Sequence, residues 1–235
     1  MSIDAGRLAE AKAAFEQAAK TAQAAGDISQ HYWAVLGQGD VAIAEGALPA
    51  ALDAYRAGLT IAEQMAKSDP GNAGWQRDLS AAQNKIGDVL VAQGNLLAAL
   101  NAYRAGLAIA ERLARSAPGN TGWQRDLAVS QEKIGDVLVD RGDLPAALDA
   151  YRAGLAIRER LAKSDPGNTG WQRDLAVGHG KVGSILARQG EAKRGKDAFS
   201  EGRAIIERLR ALSRDNATLP KDLAWFDAQL ARISE

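Results

Sequence analysis

Trp75, Trp123 and Trp171 stand 48 residues apart (123 − 75 = 48; 171 − 123 = 48). Tyr55, Tyr103 and Tyr151 keep the same step, as do Gly39, Gly87, Gly135 and Gly183. A chain that repeats at a period of a few tens of residues folds as stacked copies, because one copy cannot cover its own apolar faces. This period constrains the chain more than its length does. Length alone, 235 residues, allows one or two domains. The repeat predicts a single elongated domain over residues 1–235, each copy covered by its neighbours.

Within each copy the apolar residues step by three and four. Leu96, Leu100, Tyr103, Leu107 and Ala110 gather on one helical face, and Trp123, Leu127, Ile134 and Leu138 on another. Gly94, Gly142 and Gly190 supply the turn between paired helices, with Asn95 or Asp143 available to cap the next start. The runs Ser116-Ala117-Pro118-Gly119-Asn120 and Ser164-Asp165-Pro166-Gly167-Asn168 stop the second helix, since proline cannot continue it. Upstream, Gly6 to Ala25 and Gln30 to Glu45 read as helices, and Pro49 sits in the first turn of another. The last copy departs from the pattern: its second helix is richer in Lys and Arg and has Phe199 in place of tyrosine. Leu219 to Ala224 then echoes Trp171 to Ala176. The expected layout is all-α, about ten helices. A capping helix spans 4–26, repeats lie at about 28–70, 73–118, 121–166 and 169–214, and a second capping helix spans 218–234.

Several functional classes are disfavoured. Formal charge is zero, so nothing pulls the chain towards nucleic acid or an anionic membrane. Charge is nonetheless uneven: residues 1–74 sum to 5 − 9 = −4 and residues 171–214 to 10 − 5 = +5. That asymmetry is a solvated surface, a source of head-to-tail attraction between copies, or a docking end for an acidic partner near the C-terminus. No cysteine is present, which excludes disulfides and thiolate chemistry. The N-terminal stretch lacks a basic start followed by an apolar run, and no stretch approaches the eighteen or so apolar residues of a membrane span. A soluble, cytoplasmic protein is expected. His31 and His179 fall in different copies, and no HExxH, P-loop or strand-preceded GxGxxG occurs. No catalytic residue, cofactor or metal is expected; identical carboxylates on successive helices would stand about 10 Å or more apart, too far to converge on one cation.

The residues that carry the period resemble tetratricopeptide repeats. That pattern has a small residue late in the first helix, an alanine twelve residues on and an aromatic four further. Gly39, Ala51 and Tyr55 match it, as do Gly87, Ala99 and Tyr103, and Gly135, Ala147 and Tyr151. Gly183, Gly195 and Phe199 fit more loosely. The repeat is longer than the family's usual length of about 34 residues, a form similar to arrays in bacterial proteins, so a bacterial source is expected. The resemblance implies a right-handed superhelical solenoid of antiparallel helix pairs. Its first helices would line a concave face that binds a protein or peptide segment without catalysis.

On that face the analogy places Asp40, Asp88, Asp136 and Ser184, with Asn84, Glu132, Val91, Val129, Val139 and Asp140 nearby. A carboxylate-rich groove would favour a basic partner by charge complementarity. The alternative is a wet surface on which Lys85–Asp88 and Lys133–Asp136 pair along their own helices. The aspartates disfavour a clamp for C-terminal carboxylates. Trp33 and Trp225 leave the tryptophan period and invite two readings: packing against the preceding helix, or an exposed patch for a partner or for self-association. The competing function is therefore a structural protein that oligomerises through its terminal half-repeats.

Overall fold

The computed structural model describes residues 2–213 and 216–234. Arg214, the expected end of the last repeat, lies outside them. Contacts group the chain into two compact units, Met1–Ser116 and Ala117–Glu235. The first holds α1 (Ser2–Ala25), α2 (Ile28–Ala44), α3 (Leu48–Ser68), α4 (Ala73–Ala92) and α5 (Leu96–Ser116). The second holds α6 (Thr121–Asp140), α7 (Leu144–Ser164), α8 (Thr169–Arg188), α9 (Ala192–Leu212) and α10 (Leu219–Ser234). Among the described residues every regular element is α-helical. In each unit a helix packs on the one that follows it, and α10 also touches α8.

Two kinds of joint produce this order. After α4, Gly94 takes φ +75°, a left-handed conformation open to glycine. Its N–H donates to the Val91 carbonyl, and the Asn95 N–H donates to the Leu90 carbonyl. That is the Schellman pair of bonds, which closes the helix end. After α3 and α7 the joint is different. Proline ends the helix, and the asparagine three residues beyond the aspartate caps the next one: the Trp75 N–H donates to Asn72 Oδ1 at 3.2 Å and the Trp171 N–H to Asn168 Oδ1 at 3.0 Å. Asn72, Asn120 and Asn168 thus start first helices, a role beyond the stop expected of their loops.

The cores are built from the stepped apolar residues. In the second unit Trp171 is partly buried against Leu161, Ile157 and Ala128 of the preceding hairpin, as a spacer between copies. Phe199, Ile206, Leu209, Leu223 and Phe226 form the cluster that holds α10 onto α9.

Candidate functional site

The first helices are positioned by one close approach. A Cβ on Gly87 would stand 2.4 Å from the Tyr103 ring, and one on Gly135 2.4 Å from the Tyr151 ring. Only glycine lets the ring lie flat against the helix backbone. The ring is then aimed at the residue after that glycine. Tyr55 Oη donates to Asp40 at 2.6 Å, Tyr103 Oη to Asp88 at 2.5 Å and Tyr151 Oη to Asp136 at 2.5 Å. Burial, and then the hydrogen bond to the carboxylate, push the Tyr55 and Tyr151 hydroxyls far above their ordinary range, so they stay neutral donors.

Two of these carboxylates take a lysine from the next first helix. Lys85 Nζ lies 2.5 Å from Asp40, and Lys181 Nζ lies 2.6 Å from Asp136. Each ammonium also sits over the tyrosine ring, at 5.1 Å for Tyr55 and 5.6 Å for Tyr151. Lys85 therefore reaches back 45 residues to Asp40, whereas spacing alone suggested Asp88 on its own helix. The tyrosine hydroxyl pins the aspartate where the lysine stem crosses the ring, and both attractions act together.

The other expected residues divide into enclosed and open ones. Glu132 pairs with Arg158 and stands 3.7 Å from Lys181. Asn84 is half-buried, and among the described residues its Oδ1 is a buried acceptor without a donor. Trp33 is 55% exposed, with its ring edge-on to Tyr32; Val129 is 36% exposed, and Asp140 is exposed. Trp33, Val129, Val177 and Trp225 occupy one register position (129 − 33 = 96; 177 − 129 = 48; 225 − 177 = 48), and all four are exposed apolar side chains. Trp225 packs against the preceding helix, meeting Phe199 edge-on at 5.8 Å, and is 43% exposed.

Two buried groups were not anticipated. Arg158 is buried where the equivalent positions hold Ala62, Ala110 and Ile206; that odd residue among copies was the available signal. His179 is buried with Nδ1 3.0 Å from Glu201; burial lowers its pKa, against the pull of Glu201 and Glu159. Among the described residues no three His, Asp or Glu side chains gather as a metal site, and no helix is long and apolar enough to cross a membrane.

Comparison with known proteins points one way. Residues 127–166 match the sequence profile of the tetratricopeptide repeat family. No curated protein matches the chain. Among solved structures, BtubC (BKLC) from P. vanneervenii superposes with a TM-score of 0.65 at 15% identity, covering 97% of this chain and 89% of that one. The tetratricopeptide-like repeats of a Podosopora anserina protein described as a kinesin light chain give 0.65 at 14% identity, covering 88% and 91%. The apo form of RapI gives 0.63 at 16% identity; it covers 92% of this chain and 55% of RapI. These likenesses show an all-α helical-repeat fold.

Proposed function

We propose that this chain, whose residues 127–166 match the tetratricopeptide repeat profile, is a non-catalytic scaffold that binds a protein or peptide segment on the face formed by its first helices. The observation that carries this reading is the exposed apolar register of Val129, Val177 and Trp225 in the second unit, two of whose helices also carry the Asp136–Lys181 pair; Trp33 repeats that position in the first unit. Three apolar side chains left open at one position of successive first helices in the second unit match the apolar centre and polar surround of an interface. A basic partner has to compete with Lys85 for Asp40 and with Lys181 for Asp136. Of the candidate carboxylates Asp40, Asp88, Glu132, Asp136 and Asp140, Asp140 is the exposed one that makes no ion pair among the described residues. Steering by charge therefore falls mainly on Asp140.

Affinity capture from the native cell, followed by binding measurements with the captured partner, tests the face. Trp33→Ala, Val129→Glu and Trp225→Ala each weaken binding, whereas Arg104→Ala on exposed α5 surface leaves it unchanged. Equal loss from the α5 variant, or no loss from the first three, overturns the reading. Self-association is the competing reading, favoured by Ala224, Ala228 and Trp225, all exposed on α10. Light scattering that reports a monomer across a concentration series removes it.

A further inference from the structure

The charged layer of the first helices is dismantled at one place. The equivalents of Asp136, Tyr151 and Lys181 one copy later are Ser184, Phe199 and Gln229, and the equivalent of Glu132 is Gly180. The aspartate, tyrosine and lysine that recur in the earlier copies are lost together here, and the position of Glu132 (Asn84 and Leu36 earlier) becomes glycine. Trp225 fills part of the vacated space: a Cβ on Gly180 would lie 3.0 Å from its ring edge. What is left is a cavity of about 170 Å³ between α8, α9 and α10. Ile206 and Phe226, both buried, form its floor, and Val177, Gly180, Ser184 and Trp225 its walls.

The polar groups around this cavity already have partners. Lys181 is held by Asp136 at 2.6 Å, and Asp222 takes two bonds from Arg173 at 2.6 and 3.1 Å. The Ser184 hydroxyl donates to the Gly180 carbonyl at 2.9 Å. An occupant therefore gains nothing by bringing a polar group and gains by burying apolar surface. The volume suits one large side chain, since an apolar cavity of about 150 Å³ accommodates benzene. Lys181, which lines the cavity, connects it to the carboxylates of α6. Glu132 and Asp136 are answered by Arg158 and Lys181, while Asp140, one turn beyond Asp136, makes no ion pair among the described residues.

We propose that this cavity is an anchor socket for a partner segment: it takes one bulky aliphatic or aromatic side chain from a segment that carries Lys or Arg near that anchor, placed towards Asp140. The inference rests on the first-helix face being the binding face, and it adds the chemistry of what binds there. Gly180 and Trp225 set the size of the anchor, and Asp140 sets the charge of its flank.

Selection of displayed random twelve-residue peptides on the full chain tests it, followed by titration of synthetic copies of the enriched sequences. Enriched peptides share one Leu, Ile, Met, Phe or Trp with a nearby Lys or Arg. Gly180→Leu, which fills the socket, lowers their affinity about tenfold or more, the loss expected when one large apolar side chain is left unburied. Asp140→Lys lowers it several-fold, and more so at low salt. Trp225→Ala enlarges the socket and shifts selection towards Phe and Trp anchors. That shift in preference decides the matter if Gly180→Leu loses helicity by circular dichroism. Peptides weakened by Trp33→Ala or Asp136→Lys but indifferent to Gly180→Leu and Trp225→Ala would keep the face and overturn the socket. Peptides with no anchor-plus-base pattern overturn it as well, as does indole binding at Trp225 that leaves peptide affinity untouched. Failure to enrich any peptide overturns socket and face together.

Discussion

The hairpin α6–α7 and the hairpin α8–α9 share a backbone plan and differ in what fills it. In the first, Gly135 receives Tyr151, whose hydroxyl holds Asp136, and buried Arg158 holds Glu132. In the second, Gly183 receives Phe199, no aspartate follows, and Gly180 and Ile206 stand where Glu132 and Arg158 were. The glycine–aromatic contact survives in both. It fixes the fold, and the layer around it is free to be ionic or apolar. The condition is that the change is made as a set, because a carboxylate stripped of its tyrosine or its cation would be left poorly solvated.

The comparison breaks hardest at the shared contact. Gly135→Val drives a branched side chain into the Tyr151 ring and lowers stability by about 3 kcal/mol, read from urea unfolding. If the loss is under 1 kcal/mol, the glycine is not what fixes the hairpin. Next comes the ionic layer. Arg158→Ala costs about 2 kcal/mol, less than for a wholly enclosed pair because Lys181 remains near Glu132. Pairing it with Glu132→Leu installs the residues of the first copy, Leu36 and Ala62, and returns stability to within about 1 kcal/mol of the original. Additive losses in the double variant would show that the layer cannot be exchanged as a set.

Tyr151→Phe copies Phe199 without copying Ser184. It removes one hydrogen bond to Asp136, which Lys181 still holds, and costs about 1 kcal/mol in the same assay. The smallest effect concerns His179, which replaces Gln131 and Gln83 in register. Its folded pKa is depressed by burial, so the unfolded chain binds the proton more readily. Stability from its neutral form is therefore complete above about pH 6.5 and is lost as pH falls through the lower folded value. His179→Gln flattens that part of a stability–pH profile; an unchanged slope would place the proton elsewhere.

The helices were legible because glycine, proline and the three–four apolar steps sit at every boundary. The start at Ile28 and the end at Ala44, for example, lie within two residues of the expected bounds. The candidate face was legible only in part. Trp33 and Val129 could be placed by register, but the fate of Asp40 could not. Its tyrosine lies 15 residues ahead and its lysine 45, and only the packed geometry shows that one carboxylate takes both. Arg158 shows the same limit. A charged residue at a position otherwise held by alanine or isoleucine is visible as an anomaly in the sequence, yet its partner Glu132 lies on the opposing helix, 26 residues back.

The reach of Lys181 back to Asp136 bears on how such a chain can change in length. Each of these first helices brings the cation for the helix before it, while the acceptor and its tyrosine belong to a single hairpin. An in-frame duplication of a middle copy would thus arrive already matched at both borders, with no second mutation required. Lengthening and shortening by whole copies is the inexpensive evolutionary move for this chain, and altering one member of a pair is the costly one.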